Sequence, residues 1–208
     1  MIIGGIVILV IVVLLVAGGN LKFSAKVTPT GQDQAATSET TVEEVVPTPT
    51  PSPISTSNFK TFTSENMGIS FDYPEDWTIK ETSDTVTVAL IEEGTTNNAA
   101  AAITAIKRPL GSAKDLQFAS IVDMQKVAIK KEFNNSEFTV DEKTKIGDRE
   151  ARLLGFEGNI SGNPLTGRYL TTADENNIYA VTALADADKW SKYRGDLQKA
   201  LDSFKLLK

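Results

Sequence analysis

Three stretches carry side chains of the kind that do chemistry. Asp186-Ala187-Asp188 sets two carboxylates two residues apart, the raw material of a divalent-cation site. Asp174-Glu175-Asn176-Asn177 lines up four oxygen-bearing side chains. Ser191-Lys192 offers the residue types of a Ser/Lys dyad. Each also has a plainer account. Acids at a helix start satisfy free amides and the helix dipole, so Asp186 or Asp188 reads as a cap for the helix that follows. The Asp174 stretch lacks the spacing, the Gly and the terminal Glu of a calcium loop and reads as a turn. Adjacent helix residues point roughly 100° apart, so Ser191 and Lys192 do not pair side by side. Glu75-Asp76, Glu92-Glu93 and Asp141-Glu142 read as solvated charges at strand ends.

Composition removes much of what remains. The 208 residues include no cysteine and no histidine. Disulfides, thiolate nucleophiles, cysteine- or histidine-held metal centres and every imidazole-based triad are therefore excluded. Lys and Arg number 21 against 27 Asp and Glu, a net charge of −6, which argues against a nucleic-acid-binding face. No cofactor and no catalytic residue is expected. An acid–base hydrolase working with carboxylates alone is the one enzymatic reading left open.

The elements that would position these residues lie in the C-terminal three quarters of the chain. Residues 59–208 hold 14 of the 15 aromatics, so this is where a core can form. Ile69, Phe71 and Tyr73 alternate with Ser70 and Asp72, the period of a half-buried strand. Pro74 ends that run, and Trp77 and Ile79 follow. Val86, Val88 and Leu90 share one face of a strand, Gly94 to Asn98 is turn chemistry, and residues 99–108 read as the partner strand, ended by Pro109. Within residues 114–133, Phe118, Val122, Gln125 and Ile129 fall close to one helical face, flanked by Leu116, Ile121 and Phe133, with Ser112 and Asp115 as a capping arrangement and Asn134-Asn135 as the stop. Four strands follow at about 137–146, 149–159, 165–173 and 177–184, with hairpin turns at Gly147-Asp148 and at Asp174 to Asn177. Gly155, Gly158, Gly162 and Gly167 fit bulges and turns better than a phosphate cradle. Trp190, Tyr193, Leu197, Leu201 and Phe204 then recur at the spacing of an amphipathic helix. Strands, a helix, a meander and a helix predict an α+β domain with an antiparallel sheet covered by helices.

Upstream, residues 1–20 carry no charged side chain, and from Ile2 to Ala17 every residue is apolar or Gly. Roughly 20 such residues span a bilayer core of ~30 Å, so the segment predicts a transmembrane anchor. Ala17 and Gly19 suit a cleavage site before Asn20, but no basic residue precedes the apolar run, which favours a retained anchor. Residues 21–58 form a linker in which 18 of 38 residues are Ser, Thr or Pro. Pro47, Pro49, Pro51 and Pro53 favour extended polyproline II there. Lys22 and Lys26 vote for a cytoplasmic C-terminal side by the positive-inside rule. The Ser/Thr/Pro stalk votes for an extracytoplasmic one. The sequons Asn134-Asn135-Ser136 and Asn159-Ile160-Ser161 matter only after export into a glycosylating compartment.

Three stretches taken in order resemble the PsbP-like family, named for the extrinsic P subunit of photosystem II. GISFDYPEDW, Gly68 to Trp77, is similar to its aromatic-Tyr-Pro-x-x-Trp strand. IGDREARLLGFEG, Ile146 to Gly158, resembles its Gly-x-Arg-x-Ala hairpin. NIYAVTALADADKWSKYRGDLQKALDSFKLL, Asn177 to Leu207, resembles its closing strand, Trp-bearing helix and Ser-Phe terminus. The resemblance implies an α-β-α sandwich with a central antiparallel sheet, here preceded by one N-terminal transmembrane helix. It also implies a non-enzymatic extrinsic domain that binds and stabilises a membrane complex. The imidazole-built metal sites of photosynthetic members have no counterpart in a chain without histidine.

Taken together, the sequence predicts a single-pass protein of the cell membrane. The bilayer holds its N-terminal helix, and its domain lies outside the cytoplasm and works through contacts with a protein partner. The second reading is a small-ligand or lipid-binding module with a pocket between sheet and helix. Tyr73, Trp77, Trp190 and Phe204 are the candidate residues, as core or as a partner-binding groove. A pocket of ~300–1,000 Å³ with convergent polar groups would favour the ligand reading. A filled core with an exposed apolar patch would favour the partner reading.

Overall fold

The computed structural model describes residues 57–91, 99–160 and 162–207. The expected anchor, nearly all of the expected linker and the Gly94 to Asn98 turn lie outside them. Among the described residues, no helix is long and apolar enough to cross a membrane.

The strands are β1 (Phe59–Ser64), β2 (Ile69–Pro74), β3 (Thr78–Glu81), β4 (Thr85–Ile91), β5 (Ala99–Pro109), β6 (Asn134–Ile146), β7 (Arg149–Ile160), β8 (Asn163–Ala173), β9 (Asn177–Asp186) and β10 (Lys205–Leu206). Two helices interrupt them, α1 (Phe118–Glu132) and α2 (Trp190–Ser203). The expected single sheet is two. A seven-stranded sheet runs β3-β4-β5-β9-β8-β7-β6, and a three-stranded sheet runs β1-β2-β10. Every strand pairing is antiparallel. β1 has no counterpart in the strand pattern read from the sequence. Its residues FKTFTS bury only Phe62 and Ser64, so its hydrophobic period is too thin to stand out.

The large sheet is buried on both faces. Along β9, Tyr179, Val181, Ala183 and Ala185 join one hydrophobic cluster, while Ala180 and Leu184 join the other. Successive strand residues point to opposite faces, so this split places a layer on each side. On the first side lie α2, through Tyr193, Leu197, Ala200 and Leu201, and the small sheet, through Phe62, Ile69 and Phe71. On the second side lies α1, whose Ile129 packs with Phe133, Leu154, Phe156 and Tyr169. Asp141 of β6 fastens α1 to the sheet edge by accepting from Lys126 of the helix and Arg152 of β7.

Both expected helix caps are corrected. Ser112 sits in a short 3-10 turn, Gly111–Ala113, and α1 begins only at Phe118, after Gln117, with no side-chain cap. Asp186 ends β9, and α2 starts after Lys189, again with no side-chain cap. The Asp186 carboxylate instead lies 3.3 Å from the Lys189 ammonium. An acid near a helix start is a cap only if the chain turns within its reach, and here strand pairing holds Asp186 as far as its register with Leu165.

The glycines divide in two. Gly147 and Gly162 have positive φ and make turns. Gly155, Gly158 and Gly167 lie inside strands where another group occupies the place of a Cβ. A Cβ on Gly167 would fall 2.4 Å from Leu184 Cδ2 and 2.8 Å from Phe156 Cζ. The bulge in this region belongs to β6, between Phe138 and Val140, opposite Gly155 and Phe156.

Candidate functional site

The four aromatic candidates come together on the α2 side of the large sheet. Trp77 follows the turn after Pro74 and is 5% exposed. Phe204, one residue past the end of α2, is equally buried. Tyr73 and Trp190 are half-buried and pack against the same cluster from its edge. Tyr193 of α2 meets Trp77 edge-on, with ring centroids 6.3 Å apart. The helical spacing from Trp190 delivers Tyr193, Leu197 and Leu201 to this layer. Ser203 Oγ accepts from the Asp72 amide at 2.8 Å, tying the end of α2 to β2. The space between α2 and the two sheets is thus filled by side chains.

The polar candidates hold structure together. Asp174 accepts from the amides of Asn176 and Asn177 at 2.8 and 2.7 Å and from the Tyr179 hydroxyl at 2.8 Å. Burial pushes the Asp174 carboxyl up, but these bonds outweigh it and hold the group below the usual carboxylate range. The Tyr179 hydroxyl is pushed up to about 12 by burial and by its bond to Asp174. Ser191 is exposed on α2, and Lys192 lies over the Tyr193 ring, 4.7 Å from its centroid. Among the described residues, no group of three Asp or Glu side chains is placed to hold a metal ion.

Two depressions of about 350 and 360 Å³ open on the surface, both away from the aromatic cluster. The first lies at the β6-β7-β8 end, between Glu137, Glu157, Asn159 and Leu165. The second lies where α1 begins, between Leu116, Phe118, Ile121, Lys114, Arg149 and Asp174. The outer side of α1 carries exposed apolar groups. Met124 is 42% exposed and Val127 61%, and Leu116 just before the helix is 45% exposed.

Some surface features had no signal in the sequence. Lys199 of α2 lies 3.9 Å above the ring of Phe59 in β1. Arg168 of β8 donates to Gln198 of α2. Both pairs join residues about thirty or more positions apart, so only tertiary packing could bring them together.

A family model described as PsbP-like protein matches residues 5–206. The chain belongs to the PsbP-like family. Solved structures extend the likeness at the level of fold. The solution structure of cyanobacterial PsbP (CyanoP) from Synechocystis sp. PCC 6803 superposes with a TM-score of 0.54 at 15% identity, covering 76% of this chain and 97% of that one. LpqN of Mycobacterium tuberculosis, described as involved in cell envelope biogenesis, superposes with a TM-score of 0.54 at 14% identity, covering 73% and 91%. PA94 of Pseudomonas aeruginosa, described as a putative regulator, gives 0.50 at 14%, covering 70% and 94%. No curated protein matches the sequence. This PsbP-like chain shares a sheet-dominated α+β fold with proteins of differing description, so its role rests on its own surface.

Proposed function

We propose that this PsbP-like protein is a membrane-tethered, extracytoplasmic domain that acts without catalysis, through contacts that stabilise a partner in the membrane. The filled layer between α2 and the sheets carries this reading. Trp77, Tyr193, Leu197 and Phe204 occupy the space that a ligand-binding module would keep open. Binding would then fall to the outer surface, where Leu116, Met124 and Val127 stand exposed on and beside α1. The apolar run at residues 2–17 and the Ser/Thr/Pro stalk supply the tether and the reach.

A photoreactive residue at Val127 in the full chain, activated in native membranes, tests the proposal. One discrete protein adduct identified by mass spectrometry is the expected result. Adducts spread evenly over abundant proteins would overturn it.

The second reading, a small-ligand or lipid-binding module, draws on the depression at the start of α1. Its 360 Å³ lies within the range of ligand sites, and Lys114, Arg149 and Asp174 stand beside Leu116 and Phe118. Co-purification of one small molecule, lost on Phe118→Ala, would favour that reading over protein contacts.

A further inference from the structure

We infer that Arg168 and Arg194, with Gln198 between their elements, form a binding site for a single carboxylate group.

The two arginines come from different elements. Arg168 lies on β8 on the face that α2 covers, since Leu170, two residues on, joins the cluster containing Tyr193 and Leu197. Its register partners are Gly155 on β7 and Ala183 on β9, neither of which carries a polar side chain. Directly opposite Arg168 the sheet therefore offers no counter-charge, and Glu157, on the same face of β7, stands opposite Thr166 instead. Arg194 lies one helical turn before Gln198 on α2, so the two share a side of the helix. Gln198 Oε1 accepts from Arg168 Nη1, which brings that side of α2 against β8.

Among the described residues, neither guanidinium is held in an ion pair. Both residues are half-buried. Arg194 Nε is buried and has no hydrogen-bond partner. Unpaired donors on a half-buried cation are costly, because water no longer solvates them fully. Burial lowers the pKa of Arg168, and the neighbouring Arg194 charge lowers it further. Two like charges held together across a helix–sheet seam are the arrangement that a bound anion relieves.

The surroundings select the anion. Glu142 and Asp202 also act on Arg168, with the opposite sign. Asp202 accepts from Gln198 Nε2 at 2.7 Å and so remains beside the site. Among the described residues neither carboxylate forms an ion pair with Arg168 or Arg194, so the guanidinium forks stay open to an anion, and the two acids nearby disfavour a dianion. A carboxylate is monoanionic and planar, and it matches a guanidinium fork through two parallel bonds. The group can belong to a free carboxylic acid or to an Asp, Glu or C-terminus of a partner protein. The inference does not depend on the tether or on which side of the membrane the domain faces.

The test uses the full chain, labelled with nitrogen-15, in detergent micelles. Sodium propionate is the probe, and the Nε–H resonances of Arg168 and Arg194 are the readout. Propionate should shift both resonances saturably. Arg194→Gln should weaken binding by about tenfold or more, the usual effect of one charge-assisted bond. Lys131→Gln, exposed on α1 across the large sheet, should leave binding unchanged. Arg194→Lys keeps the charge but loses the fork, and it should fall between wild type and Gln. It also keeps the test alive if the Gln variant does not fold. No saturable shift, equal binding in Arg194→Gln, or tighter binding of inorganic phosphate at matched ionic strength would each overturn the inference. A photoreactive residue at Thr166, on the same face of β8, distinguishes the two sources. A protein adduct competed away by propionate places the carboxylate on a partner. A carboxylic acid that co-purifies with the wild type but not with Arg194→Gln identifies a free ligand.

Discussion

The indole of Trp77 stands nearly perpendicular to the ring of Tyr193, at 81° with centroids 6.3 Å apart. This edge-to-face pair joins the turn after β2 to the first turns of α2, and Phe204 closes the same layer at the far end of the helix. It is the seam between two parts of the chain more than a hundred residues apart.

The seam sets the order of two tryptophan variants. Trp77→Ala should cost about 3–5 kcal/mol, since the ring is buried and its removal leaves a cavity. Trp190→Ala should cost less, roughly 1–3 kcal/mol, because half of that indole is solvated and less area is lost. Urea melts of both variants check the ranking. The reverse order would place Trp190 at the centre of the core.

The strand glycines make a second contrast. Gly167→Ala would drive a methyl into Leu184 Cδ2 and Phe156 Cζ. It should destabilise by about 1–3 kcal/mol, as overpacking does. Gly147→Ala meets nothing within 4 Å but holds a φ of +59°. Its cost should be about 1–2 kcal/mol and purely conformational. Gly147→Asn, which tolerates that conformation, should recover part of the loss, whereas Gly167→Asn should be worse than Gly167→Ala.

The Asp174–Tyr179 pair predicts the behaviour at both pH extremes. Asp174 titrates lower in the folded state than in the unfolded chain. Its contribution is therefore complete above the unfolded carboxyl value of about 3.9 and is lost as pH falls through the folded one. Tyr179 is raised to about 12, so its contribution is complete below about 10 and is lost as pH rises toward that folded value. In urea melts, the stability gap between wild type and Asp174→Asn should close in acid. The gap to Tyr179→Phe should close in alkali. A gap independent of pH would remove the linkage.

Topology is tested in the stalk. The chain has no cysteine, so Ser52→Cys introduces a single thiol. A membrane-impermeant maleimide should label it in intact cells. Labelling only after lysis would put the domain in the cytoplasm, as Lys22 and Lys26 would have it under the positive-inside rule.

Much of this fold is legible in the sequence wherever a local period was strong. The alternation at Val86 and Val88, the apolar run of β9 and the spacing from Trp190 to Leu201 each record which side of an element meets a core. β1 escaped because it buries too few apolar side chains, and both helix caps were misplaced. A cap is decided by where a strand lets go of the chain, not by the nearest acid.

By itself, the sequence determined what chemistry is excluded and where a core can form, because absent side chains and hydrophobic periods need no third dimension. It also carried the three ordered motifs of the PsbP-like family. Only the tertiary structure decided that β1, β2 and β10 form a second sheet, since pairing Ser70 with Lys205 closes a loop of more than 130 residues. Only the structure set Arg168 beside Gln198 and left Arg194 Nε without a partner. Whether a charge is paired depends on what other elements bring within a few ångströms of it, and no spacing along the chain records that distance.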